Sequence, residues 1–132
     1  MQATAFFGKT YGEAMDLLVE ARDYLAHREP IDRQSLLPLE RLSFCSETMR
    51  LTAQLTQIMA WLLAQRAVHQ GEISQQAALG GHRALAEVEI CMADGSAAFA
   101  AMPRRLASLL DRSQRLYVRV ARLDELARRQ LA

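Results

Sequence analysis

Three histidines and two cysteines would carry chemistry first: His27, His69, His82, Cys45 and Cys91. A helical zinc site needs two imidazoles on one face, as in H-x₃-H or H-E-x-x-H. None of the three histidines has such a partner, and no C-x-x-C is present. Cys45 falls on an apolar helical stripe and reads as a small buried hydrophobe; Cys91 borders a short helix and reads the same way. Neither has a neighbour that would activate a thiolate. Gly80-Gly81 lacks the surrounding G-x-x-x-x-G-K-[ST] of a phosphate loop. No pair of carboxylates sits on an apolar helix face, as a di-metal carboxylate bundle would require. The sequence therefore predicts no catalytic residue, no cofactor and no metal.

The sharpest electrostatic feature is a stripe of arginines. Arg105, Arg112 and Arg119 recur every seven residues, and Arg115, Arg122 and Arg129 recur on the adjacent row. Basic charge is almost all arginine, since Lys9 is the only lysine. Residues 102–132 carry 8 basic and 3 acidic groups, whereas residues 1–101 carry 8 basic and 12 acidic. Within the acidic part, Glu13, Asp16, Glu20 and Asp23 form a stripe of their own. In an up-down-up bundle the first and third helices run parallel, and these two stripes would pair edge to edge. The other reading is an acidic protein partner, for which the guanidinium fork suits bidentate recognition of carboxylates. That reading makes Arg112, Arg115, Arg119 and Arg122 the candidate partner-binding residues. A nucleic-acid role is not predicted, because the net charge is only +1 and no reading motif is present.

The elements that would position these residues are helices. The chain has 132 residues, 51% of them hydrophobic and 23% charged, with only six glycines and three prolines. That composition suits one folded domain over 1–132 and has too few turn residues for a β-sandwich or a doubly wound sheet. Thr10 and Glu13 stand at capping-box spacing, so a first helix is predicted over about 10–28, ending before Pro30. Residues 29–36 read as a polar connection. A second helix is predicted over about 38–70, from Pro38 to the stop at Gly71. It carries two apolar stripes, one through Leu42, Cys45, Met49, Ala53, Thr56, Ala60 and Leu63, the other through Phe44, Leu51, Leu55, Ile58 and Leu62, with Trp61 beside them. A bundle helix needs only one stripe, so this one must be covered on a second side. Either the crossover covers it, or a second copy does. The candidate core or dimer face is Leu51, Leu55, Ile58, Trp61 and Leu62.

The crossover spans 71–102. Ser74 would cap a short helix through Leu79, Gly80-Gly81 would break it, and His82–Met92 and a turn at Asp94-Gly95-Ser96 follow. The third helix is predicted over about 103–131, with a heptad seam at Leu106, Leu109, Ser113, Leu116, Val120, Leu123 and Ala127. The fold class is all-α: a three-helix bundle with a long second helix, read as a homodimer. The longest charge-free run, fifteen residues between Arg50 and Arg66, is too short and too polar to span a membrane. The start has no apolar h-region after a basic segment, so a cytoplasmic protein with reduced thiols is expected.

One family matches these residues. Glu47-Thr48-Met49-Arg50-Leu51-Thr52, Gln57-Ile58-Met59-Ala60-Trp61-Leu62-Leu63, Gln65-Arg66-Ala67-Val68 and Gly71-Glu72-Ile73-Ser74 together resemble the signature of the RcdA family, alphaproteobacterial regulators of CtrA degradation. Tyr11-Gly12-Glu13-Ala14-Met15 and the stretch Arg112–Asp124 resemble its first and last helices. The resemblance implies a homodimeric three-helix bundle without enzymatic activity. It implies an adaptor that helps the ClpXP protease receive cell-cycle substrates such as the response regulator CtrA, working with ClpX and its priming factor and with other adaptors. Some members extend into a polar tail; this sequence stops at Ala132, so no contact is assigned to such a tail. The alternative expectation is a dimerisation or scaffold module at the cell pole that binds no protease.

Overall fold

Pro30 sets the shape of the first helical arm. The computed structural model describes residues 2–81, 84–85 and 102–131, with side chains from residue 7 onward. Helix α1 runs Gln2–Asp23, passes through a wide π turn over Tyr24–Arg28, and continues as α2, Glu29–Gln34. The helix was expected to stop before Pro30, with 29–36 as a connection; the π turn explains why it does not. Proline cannot donate to the helix ladder, and its ring crowds the carbonyl four residues back. Widening the turn relieves this, and the Glu29 N–H reaches the Tyr24 carbonyl five residues back. Asp32 then staples the turn, accepting the Tyr24 hydroxyl at 2.8 Å and the Arg28 Nε at 3.2 Å.

The start of α1 also differs from expectation. Thr10 is not an N-cap: it lies in the second half-dozen residues of a continuous helix and is only 2% exposed. Tertiary contacts carry the helix upstream of the local capping pattern. The Phe7 ring lies 5.0 Å from His69 and 6.1 Å from Tyr11.

Helix α3 runs Pro38–His69, about 48 Å at 1.5 Å per residue. Pro38 occupies the first turn as expected, and the Leu37 N–H donates to the Glu40 side chain at 2.9 Å. At the other end Gly71 takes φ 77°, the left-handed value that glycine adopts without a Cβ clash. The Glu72 N–H returns to the Ala67 carbonyl at 2.9 Å and the Gly71 N–H to Val68 at 3.0 Å, which closes the helix as a Schellman motif. Ser74 caps the short helix α4, Gln75–Gly80, by accepting the Ala77 N–H at 3.1 Å. The expected helix over His82–Met92, the turn at Asp94-Gly95-Ser96 and Cys91 lie outside the described residues, Ala84 and Leu85 apart. Helix α5 runs Arg104–Leu131, directly after Pro103.

The fold is an all-α bundle of three long helices, with no strand among the described residues. Its direction differs from the up-down-up expectation. Glu13 pairs with Arg119 while Glu20 pairs with Arg112, so α1 and α5 run antiparallel. Phe7 meets His69 and Tyr11 meets Arg66, so α1 and α3 are antiparallel as well. Arg50 and Gln54 meet residues 114 and 113, and Trp61 meets Asp124, so α3 and α5 run parallel. Parallel neighbours cannot be joined by a tight turn, so a long connection between α3 and α5 is required.

Leu51, Leu55, Ile58, Trp61 and Leu62 all lie buried in the core of the single chain, with Tyr24, Phe44, Leu106, Leu109, Leu116, Tyr117 and Val120. The other apolar stripe of α3 stays open among the described residues: Leu42 is 68% exposed, Met49 72% and Leu63 49%. A polar layer crosses this core. Ser113 donates to Gln54 Oε1 at 2.8 Å, and the Gln54 amide donates to Gln114. A one-residue slip of α5 would leave these groups buried without partners, so the layer fixes the register of α3 against α5.

Candidate functional site

The arginine stripe divides into two pairs. Arg112 makes a bidentate fork to Glu20, with N–O distances of 2.6 and 2.7 Å. That hydrogen bond holds the Glu20 carboxyl below its ordinary value and the Arg112 guanidinium above its own. Arg119 pairs directly with Glu13. These two arginines are joined to the acidic stripe of α1, in agreement with the internal-match reading but in the opposite direction. Such half-exposed pairs contribute only about 0–1 kcal/mol each and act mainly on orientation. Among the described residues Arg115 bonds only to Asp111 on its own helix, at 3.2 Å, and both are exposed. Arg122 is exposed and has no ion pair among the described residues. Arg115 and Arg122 are thus the half of the predicted set that remains open to a partner. A hollow of about 310 Å³ lies over Leu17 and Leu116 between the two interhelical pairs.

On the opposite side of α1 a larger feature opens. Helices α1 and α3 enclose a trough of about 760 Å³ whose walls include Leu18, Leu25, Thr52, Thr56, Met59 and Leu63. The stripe of α3 that contributes Thr56, Ala60 and Leu63 lines it, whereas the face singled out in the sequence, Leu51 to Leu62, lies in the core. The contribution of α1 was not foreseen, because Leu18 and Leu25 belong equally to a core stripe.

Sequence reasoning also missed Asp124. Its carboxylate is 1% exposed and accepts the Trp61 Nε1–H at 2.9 Å, the Leu85 N–H at 3.1 Å and the Arg128 Nε–H at 3.0 Å. The Tyr117 hydroxyl donates to the Leu85 carbonyl at 2.6 Å, so both backbone groups of Leu85 are held. Asp124 is the point at which α3, Leu85 and α5 are tied together. The available signal was helical drift. A strict heptad seam places Leu123 inward, but a straight helix drifts about 20° per heptad. The buried row continues instead through Ser113, Tyr117, Val120 and Asp124, and Leu123 is only half-buried.

The other candidates for chemistry stay apart. His27 and His69 are exposed, His69 against Phe7; Cys45 is a half-buried free thiol; and His82 lies outside the described residues. Among the described residues no three His, Cys, Asp or Glu side chains group closely enough to hold a metal. Among them, too, no helix is long and apolar enough to cross a membrane.

These features define an all-α helical bundle, two long helices parallel and one antiparallel, whose open surfaces are an apolar trough and an arginine row. A family model described as "Protein of unknown function (DUF1465)" matches residues 1–132. The crystal structure of RcdA from Caulobacter crescentus CB15 is similar, with 36% sequence identity and a TM-score of 0.71. The match covers 92% of this chain and 89% of that one. No curated protein matches. The chain belongs to the RcdA family.

Proposed function

We propose that this chain is a non-enzymatic adaptor in regulated proteolysis, helping to deliver cell-cycle substrates such as the CtrA response regulator to the ClpXP protease. The observation that carries this reading is the 36% identity to RcdA, sustained over 92% of the chain. Its mechanism is effective concentration: an adaptor holding substrate and protease together turns their second encounter into an intramolecular one. Its partners are ClpX with its priming factor, substrate proteins and further adaptors. It works in the cytoplasm and at the cell pole. Two open surfaces support a binding role, since an adaptor needs at least two. The arginine row supplies one of them, with Arg115 and Arg122 offered to an acidic partner surface.

The test is capture of ClpX and its priming factor by the purified chain, compared with a variant carrying Arg115→Glu and Arg122→Glu. Both positions are exposed, so the thermal midpoint should move by less than about 2 °C. Capture should fall severalfold, and more so at low salt. If the double variant unfolds, these arginines are structural. If it captures partners as well as the parent does, the contact lies elsewhere.

A further inference from the structure

Among the described residues, the α1–α3 trough offers almost no hydrogen bonding. Thr48, Thr52 and Thr56 stand four residues apart on α3, and each turns its hydroxyl back onto the helix. Thr48 Oγ1 donates to the Cys45 carbonyl at 2.8 Å, Thr52 Oγ1 to Thr48 at 3.0 Å, and Thr56 Oγ1 to Thr52 at 2.8 Å. With the hydroxyls engaged this way, what Thr52 and Thr56 offer the trough is methyl surface, continued by Met59 and Leu63, with Leu18 and Leu25 opposite. A second hollow of about 360 Å³ extends it past Leu25 to Met49. From Met49 to Leu63 is about 21 Å along α3, the length of about fourteen helical residues.

The absence of free donors and acceptors on these walls selects the occupant. An extended peptide buried there would leave its backbone N–H and C=O groups unpaired, which is costly. A helix brings its backbone already satisfied and needs only an apolar stripe. Shape argues against a second copy: two troughs facing each other across a two-fold axis are both concave and leave the space between them empty. Charge narrows the choice further. Among the described residues, Arg22 is the one ionised side chain lining the trough, and no carboxylate lines it. The ion pair of Arg22 is with its exposed neighbour Asp23 at 3.3 Å, too weak to commit it. We propose that the trough receives a single amphipathic helix of a partner protein, its apolar stripe seated between α1 and α3 and an acidic residue on its flank facing Arg22. This rests on the adaptor reading and names the chemistry of one partner.

The test titrates the full chain with a synthetic helix-stabilised peptide and follows amide shifts by NMR. The peptide carries leucines at alternating three- and four-residue spacing with glutamates on the flanks; a second peptide replaces the glutamates with lysines. The acidic peptide should shift Leu18, Leu25, Thr52, Thr56, Met59 and Leu63, and bind up to about fivefold tighter than the basic one. Thr56→Arg, an exposed position, should weaken binding at least about tenfold without lowering the thermal midpoint. Arg22→Glu should reverse the preference between the peptides. Shifts confined to another surface, no binding of either peptide, or unchanged binding by Thr56→Arg would overturn the proposal. So would a parent dimer that Thr56→Arg converts to monomer, because the trough would then be covered by a second copy. No protease enters this experiment, so its failure leaves the adaptor reading to be decided by degradation assays.

Discussion

Asp124→Ala removes the acceptor that ties α3, Leu85 and α5 together. Arg128 is about one-third exposed and can turn to water, so its loss costs little. Trp61 and Leu85 cannot do the same, because both are buried. Each buried donor left unpaired costs about 1–3 kcal/mol, so the loss of two should cost about 2–6 kcal/mol in all. For a chain of this length each kcal/mol lowers the thermal midpoint by about 3–4 °C, giving a fall of about 6–24 °C. Circular dichroism melts measure the fall, and the fluorescence of Trp61, the only tryptophan, reports the lost bond locally. Hydrogen exchange at the Leu85 amide should quicken more than exchange within the middle of α3. Asp124→Asn should fall between parent and Ala, since its amide oxygen still accepts one bond while its NH₂ opposes the second donor. A cost below about 1 kcal/mol with unchanged Trp61 fluorescence would refute the reasoning, because the two donors would then have other acceptors.

Three further outcomes follow from the same geometry. Glu20→Gln should cost at most about 1 kcal/mol at neutral pH, less in high salt. Because Arg112 holds the Glu20 carboxyl below its ordinary 4.5, the stabilisation is present above that value and fades as the folded-state carboxyl protonates; parent and variant urea curves should converge in acid. Burial, followed by the bond to Asp32, holds the Tyr24 phenol well above its ordinary 10.0, so its contribution is present below pH 10.0 and is lost as pH rises and the unfolded chain ionises. Tyr24→Phe should cost about 1–2 kcal/mol at neutral pH and flatten the alkaline loss of stability measured by denaturant titration. Gly71→Ala should cost about 1 kcal/mol in urea melts, because its φ of 77° is unfavourable for a residue with a Cβ.

Features set by one or two adjacent residues were legible in the sequence. Pro38 at the start of α3, Gly71 at its end, the Ser74 cap and Pro103 before α5 each act through local backbone geometry. The start of α1 was not legible, because Thr10–Glu13 satisfies the capping pattern while the packing of Phe7 and Tyr11 continues the helix past it. The charge stripes announced a pairing but not its direction: spacings of three and four read the same from either end, so Glu13 could face an early or a late arginine equally well. The π turn required knowing that Tyr24 and Asp32 would meet and hold the chain helical through Pro30. Two stripes on α3 implied that it needs cover on two sides. Which stripe packs inside the chain depended on the order and direction of the helices around it. Asp124 was hidden because a carboxylate beside an apolar seam looks solvent-facing until Trp61 and Leu85 are brought to it.

The central claim, that this chain joins substrate to protease, is tested most directly by degradation of a purified client such as CtrA by ClpXP with its priming factor, over a range of concentrations of this chain. The account predicts acceleration that rises and then falls, because excess adaptor binds the two partners separately. A folded preparation that gives no acceleration at any concentration would contradict it.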